Sequence, residues 1–217
     1  MQNLRTILLK EFKSDFRNPY VLGGAALFLI SSLFVCYITV KRIPSPALWV
    51  ALFWIIVLFT SFNAVAKSFI NETRNRMLYL YTIVHPATFI TAKSIYHTTV
   101  MVILSGIAVL VYGTFFSMPI GDPWVFAFSV FFGSSGLAII LSLLSTMASK
   151  AGNNLTLLAV LGLPILLPLI LVSSTLMKNA VDGIDLSVQL KYMFVLGGLN
   201  VVSFALSIIL FPYLWRE

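Results

Sequence analysis

The stretch VFAFSVFFGSSGLAIILSLLSTMAS, which runs from Val125 to Ser149, contains no Asp, Glu, Lys or Arg. An α-helix rises about 1.5 Å per residue, so about 20 apolar residues cross the hydrocarbon core of a bilayer. Five further stretches are equally free of charge and long enough to cross it. The six predicted spans are residues 21–40, 47–66, 94–117, 125–149, 155–177 and 192–214. The sequence therefore predicts an all-α membrane protein with six transmembrane helices, which form a single domain over residues 1–217.

The composition excludes a soluble globular protein. Hydrophobic residues make up 59% of the chain and charged residues 10%, and the mean hydropathy is +1.00. A soluble domain carries about a quarter charged residues. The strands of a membrane β-barrel would alternate apolar and polar residues, and the six stretches do not. The net charge of +7 does not indicate nucleic acid, because most basic residues lie before or between the apolar stretches, where they contact anionic lipid.

Residues 1–19 are predicted to form an amphipathic helix that lies on the membrane surface ahead of the first span. Apolar residues recur there at helical spacing, basic residues lie roughly opposite, and Glu11 and Asp15 sit close to the apolar face. The apolar set is Leu4, Ile7, Leu8, Phe12 and Phe16, and the basic set is Lys10, Lys13 and Arg17. A cleavable signal peptide is disfavoured, because the basic region is too long and no small-residue cleavage site closes the first apolar stretch.

The distribution of basic residues predicts a protein of the bacterial inner membrane with both termini in the cytoplasm. With the N-terminus inside, ten Lys and Arg residues fall on the cytoplasmic side and four on the opposite side. The ten are Arg5, Lys10, Lys13, Arg17, Lys67, Arg74, Arg76, Lys93, Lys150 and Arg216, and the four are Lys41, Arg42, Lys178 and Lys191. Trp49 and Trp124 near one interface and Trp215 near the other are typical of aromatic belts.

The longest polar stretch, residues 67–93, is predicted to be a cytoplasmic segment that couples the chain to a partner. The chain has no G-x-x-x-x-G-K-[ST] phosphate loop, and its spans hold no titratable residue typical of ion-coupled transporters apart from His97. Residues 71–84 are long enough for about three to four helical turns. The candidate contacts with an ATPase are Glu72, Arg74, Arg76, Met77, Leu78 and Tyr81. A helix lying flat on lipid headgroups is the open alternative.

Two prolines, Pro164 and Pro168, fall in the fifth span. Each removes a backbone donor from the helix, so the pair predicts a kink, which neighbouring helices can accommodate. A hinge or a notch beside a lateral cavity is the functional interpretation. Packing shape alone is the alternative.

The motif Gly133-Ser134-Ser135-Gly136 matches the nucleophile pattern of rhomboid intramembrane proteases. That chemistry needs a histidine base on a later helix, and both histidines, His85 and His97, lie upstream. Small residues that allow close helix packing are the favoured interpretation. Surface or packing roles are the favoured interpretation of the two histidines, and axial ligation of haem is the alternative.

The chain resembles the CcmB family, the permease or haem exporter subunits of the c-type cytochrome maturation system. The resemblance runs over nearly the whole chain and rests on its length, six spans, a basic amphipathic start over residues 8–17 and paired prolines in LPILLPLI, residues 163–170. The long second connection opens on Phe69 and Glu72 and closes on Pro86, Ala92 and Lys93. The chain departs from the family where related permeases carry Gly-x-Leu-Glu, since Arg76 and Tyr79 replace the glycine and the glutamate.

The resemblance implies the membrane half of an ABC-type complex that has an ABC-2-like permease fold. The implied partners are a CcmA-like ATPase subunit, a CcmC-like haem-handling membrane protein, a CcmD-like small subunit and the CcmE-like haem chaperone, and a homodimer within the complex is compatible with it. ATP is used by the partner, haem is handled as a ligand and no cofactor is bound tightly. An ABC-2-type permease for another amphiphilic substrate and a non-transporting membrane scaffold are the alternatives.

Overall fold

The structure is a computed structural model that describes residues 2–17, 20–40, 45–70, 85–116, 120–150 and 155–216. These residues form seven α-helices and no strand. The helices are α1 (Gln2–Arg17), α2 (Tyr20–Thr39), α3 (Pro46–Ile70), α4 (Pro86–Phe115), α5 (Pro123–Lys150), α6 (Leu155–Asp182) and α7 (Leu186–Arg216). Helices α2 to α7 are long and apolar enough to cross a membrane. The prediction of an all-α protein with six spans is therefore confirmed.

The largest difference from the predicted bounds is at the third span, because α4 begins at Pro86 and not at residue 94. His85 has extended backbone, with φ −67° and ψ 134°, and Pro86 occupies the first turn. Proline disfavours helix for the residue before it and fits the first helical position, where its missing N–H costs nothing. Helix α3 also continues to Ile70. The predicted polar segment 67–93 is thus helical at both ends, and Lys93 belongs to a spanning helix.

Helices α6 and α7 are also longer than the apolar stretches that predicted them. Helix α6 continues from residue 177 to Asp182, and α7 starts at Leu186 and not at residue 192. Pro164 and Pro168 both lie inside α6, which remains one continuous helix, and both are exposed on its surface. The kink that the two prolines predict stays a prediction.

Helix α5 occupies the centre of the bundle. It packs against α3, α4, α6 and α7, and it has the largest buried share of the six spans, whereas α2 has the smallest. Helix α1 lies outside this bundle and packs mainly against α4. The stretch from Val125 to Ser149 therefore forms the helix around which the other spans are arranged.

Two glycines let neighbouring helices approach α5 closely. A Cβ atom added at Gly133 would lie 2.1 Å from the Trp54 ring, and one at Gly136 would lie 2.7 Å from Leu169. The hydroxyls of Ser134 and Ser135 both donate to a carbonyl of their own helix. This geometry supports the packing interpretation of the motif and gives no support to a protease.

Candidate functional site

The apolar face of α1 contacts the helical bundle. Ile7 is buried, and the ring of Phe12 meets that of Tyr96 on α4 edge to face, with centroids 5.0 Å apart. Leu9 is 59% exposed, so only one side of α1 is covered. The amphipathic pattern predicted contact with lipid headgroups. In the structure that face packs against α4, and its contact with lipid headgroups stays a prediction.

A buried ion pair joins the same two helices. Lys93 Nζ lies 3.7 Å from Glu11 Oε2, and Lys10 Nζ lies 3.4 Å from Glu11 Oε1. Lys93 is fully buried and Glu11 is 7% exposed. Lys93 Nζ also lies 5.7 Å from the centroid of the Phe89 ring, within the range of a cation–π contact. Charges removed from water are tolerated when they are paired in this way. Lys93, which the sequence placed in the polar connection before the third span, lies within helix α4.

One helical turn further along α4, His97 connects this helix to α5. His97 Nδ1 lies 2.6 Å from Ser142 Oγ, and the Thr146 hydroxyl donates to the Ser142 carbonyl at 2.8 Å. His97 is buried. Because its Nδ1 is engaged by Ser142, His97 acts here as a residue that ties two helices together. Among the described residues, no group of three His, Cys, Asp or Glu could hold a metal ion.

Helix α7 reaches the same end of the bundle through aromatic packing. Phe89 of α4 stacks on Phe211 of α7, with centroids 5.8 Å apart and planes 19° from parallel. The first turns of α4 therefore contact α1 through Lys93, α5 through His97 and α7 through Phe89. We call the residues that make these contacts the charged cluster, which consists of Glu11, Phe89, Lys93, Tyr96, His97, Ser142 and Phe211.

The predicted contacts with an ATPase lie in residues 71–84, outside the residues that the structure describes. These contacts are Glu72, Arg74, Arg76, Met77, Leu78 and Tyr81. They stay a prediction. What the structure adds is that this segment leads directly into His85 and the first turns of α4. Sequence reasoning missed the charged cluster, although Glu11 on the apolar face of α1 and a lysine two turns after Pro86 were signals for it.

The opposite end of the bundle is held by neutral aromatic residues. Trp49 Nε1 donates to the Phe116 carbonyl at 3.1 Å, and the Tyr112 hydroxyl donates to the Trp49 carbonyl at 3.0 Å. The rings of Trp49 and Tyr112 have centroids 4.7 Å apart. Trp49 is 3% exposed, so its assignment to an aromatic belt was wrong, because these partners bury it. Trp124 is 85% exposed and remains suited to a belt.

Two clefts lie on the surface of α3. One, of about 310 Å³, lies between α3 and α6, and the other, of about 340 Å³, lies between α2 and α3. The first is lined by Ala47, Val50, Ala51, Trp54, Ile55, Leu58, Ile170, Ser174, Thr175 and Lys178. Neither histidine lines either cleft. These two clefts therefore offer no histidine ligand for haem.

Six helices long and apolar enough to span a membrane, one of them buried at the centre of the bundle, define the class of the protein, a polytopic membrane protein. A protein-family profile described as CcmB protein matches residues 2–213, so the chain belongs to the CcmB family. Members of this family are the membrane permease components of ABC-type systems for haem export and c-type cytochrome biogenesis, and they are not themselves catalytic. A comparison with curated proteins found no match.

Proposed function

We propose that the chain is the permease subunit through which a CcmA-like ATPase drives release of a haem-loaded CcmE-like chaperone. In this proposal a CcmC-like protein, a CcmD-like subunit and a second copy of this chain complete the complex. The family match over residues 2–213 carries the proposal. The absence of a phosphate loop from the sequence supports it, because directed work then needs energy from a partner. Haem is the handled ligand, and ATP binds the partner.

The coupling segment is proposed to be residues 71–84, which act on α4. Leu78, Met77 and Tyr81 would form the apolar anchor in a groove of the ATPase, since buried aliphatic and aromatic groups dominate interface energy. Glu72, Arg74 and Arg76 would surround that anchor. A displacement of this segment would reach the first turns of α4, and from there the contacts of the charged cluster lead to α1, α5 and α7.

The double variant Leu78→Asp with Tyr81→Asp tests this contact in the assembled complex. It should release the ATPase subunit in a pull-down while the permease still reaches the membrane, because each Asp would place an unpaired charge in an apolar interface. The matched control is Ile184→Asp with Leu186→Asp, two exposed residues at the opposite end of the bundle, which should retain the ATPase. An ATPase that stays bound with unchanged activity in the first variant would show that another surface makes the contact.

The proposed topology has both termini in the cytoplasm of the inner membrane, on the basis of the ten-to-four distribution of basic residues. In a Cys36→Ser background, a membrane-impermeant thiol reagent added from outside should label Ser187→Cys and not Asn75→Cys. The reverse labelling pattern would overturn this orientation.

We also propose that Pro164 and Pro168 shape α6 for function. Replacing both with Ala should preserve insertion, because each Ala restores a helical N–H, and should reduce maturation of c-type cytochromes. Full maturation in the double variant would assign the prolines to packing alone.

A further inference from the structure

The cleft between α3 and α6 has the form of a site for one lipid acyl chain. Its lining residues on α3 recur at helical spacing from Ala47 to Leu58, so they form one continuous stripe. At about 1.5 Å per residue this stripe is about 16 Å long. That length is about half of the hydrocarbon thickness of a bilayer, which is about 30 Å. The cleft therefore extends along α3 over about the thickness of one leaflet.

The cleft opens toward the membrane and has a rigid floor. Ala47, Ala51 and Ile55 on α3 are exposed, so a chain in the bilayer can enter from the side. Trp54 is 2% exposed, and its ring lies so close to Gly133 that a Cβ atom would not fit between them. A floor that is already packed against the central helix cannot collapse into the cleft. The space is therefore preformed, as is usual for ligand sites of this size.

The hydroxyls of the lining make no demand for a polar ligand inside the cleft, and the indole Nε1 of Trp54, which has no hydrogen-bond partner among the described residues, is buried out of a ligand's reach. The hydroxyls of Ser174 and Thr175 both donate to the carbonyl of Leu171 on their own helix, at 3.0 and 2.8 Å. Because both hydroxyls are already hydrogen-bonded, an apolar ligand in the cleft would leave neither of them unpaired. An apolar chain is thus the ligand that fits between these two helices.

One cation stands at the mouth of the cleft. Lys178 is exposed, lies on α6 at the end of the cleft where α3 contributes Ala47, and forms no ion pair with a described carboxylate. A lysine at this depth lies at headgroup level, where it attracts anionic lipid. We propose that the α3–α6 cleft binds one acyl chain of an anionic phospholipid, whose net negative headgroup lies against Lys178. This inference does not depend on the proposed function.

Native mass spectrometry of the purified full-length chain tests the site, with phosphatidylglycerol and phosphatidylcholine of identical acyl chains as probes. The chain should retain phosphatidylglycerol in preference to phosphatidylcholine. Lys178→Gln should weaken retention of phosphatidylglycerol about fivefold and leave phosphatidylcholine unchanged, since one interfacial lysine contributes about that factor. The matched control is Lys191→Gln, an exposed lysine that does not line the cleft and should have no effect.

A second variant tests the acyl chain separately from the headgroup. Ala51→Trp fills the cleft and should reduce retention of both lipids, whereas Ala127→Trp, at an exposed position of similar depth on α5, should not. Equal effects of Lys178→Gln and Lys191→Gln would overturn the proposal. Undiminished retention of both lipids in Ala51→Trp would also overturn it. The same holds if Ala51→Trp reduces the binding of added haem and leaves the binding of phospholipid unchanged.

Discussion

The two ends of the helical bundle are held together by different chemistry. At one end Trp49, Tyr112 and Phe116 form hydrogen bonds that end on backbone carbonyls, and no charge takes part. At the other end Glu11 and Lys93 form a buried ion pair between helices that are far apart in sequence. Removing one neutral hydrogen bond to a carbonyl lowers the free energy of unfolding by about 1 kcal/mol. Loss of Lys93 leaves the buried Glu11 carboxylate with only Lys10, whose side chain is 33% exposed, as its partner, so the charged end is more sensitive to substitution.

The neutral end also contains a close contact between two connections. Gly121 lies against Gly183, where a Cβ atom at Gly121 would come within 2.7 Å of the Gly183 backbone, and Gly183 has a φ of 67° that favours glycine. The Asp122 N–H donates to the Ala180 carbonyl at 2.9 Å. The connections before α5 and after α6 are therefore joined directly. The neutral end is therefore held by backbone contacts and neutral hydrogen bonds, whereas the charged end joins α1 to α4 through an ion pair.

The largest effect is expected from Lys93→Met. The substitution leaves the buried Glu11 carboxylate with only the partly exposed Lys10 as its partner, which should lower the free energy of unfolding by about 3 kcal/mol. Thermal or denaturant unfolding in a fixed detergent measures it. The exposed Lys191→Met is the control and should change little.

The double variant Glu11→Gln with Lys93→Met tests whether the ion pair causes that loss. Because the buried carboxylate is then also removed, stability should recover most of the way toward the original chain. A double variant no more stable than Lys93→Met alone would show that Lys93 acts through packing and not through Glu11.

The second-largest effect is expected at the centre of the bundle, where α3 packs against α5. Gly133→Ala should lower the free energy of unfolding by about 1–3 kcal/mol, because the added methyl group would overlap the Trp54 ring. Gly197→Ala is the matched control, since nothing lies within 4 Å of its Cβ position and Ala favours a helix. Equal stability of the two variants would mean that Trp54 can move away from α5 at no cost.

The smallest effect is expected at the neutral end. Tyr112→Phe removes the hydroxyl that donates to the Trp49 carbonyl and should cost about 1 kcal/mol. Tyr37→Phe is the control, because Tyr37 is 42% exposed and its ring stacks on Phe115 in either variant. A loss at Tyr112 as large as that of Lys93→Met would contradict the contrast between the two ends.

Much of the candidate site was beyond the reach of sequence reasoning. The paired prolines were placed correctly in the fifth span, and the proposed coupling residues of 71–84 remain a prediction. Lys93 was assigned to a polar connection, because a lysine beside an apolar stretch normally marks its end. Trp49 was assigned to a membrane interface because it lies near the start of a predicted span. The sequence does not show whether lipid or protein surrounds its ring. In both cases the partner that buries the residue lies on another helix.

The sequence by itself determined the number of spans, the class of the protein and its family. These depend on local properties, since a run of about 20 apolar residues must satisfy its backbone as a helix in lipid whatever its neighbours are. The tertiary structure alone decided which faces of those helices meet. It placed Glu11 against Lys93, His97 against Ser142 and Trp54 against Gly133. Each pair joins residues on different helices, and their packing in three dimensions has no counterpart in local hydropathy.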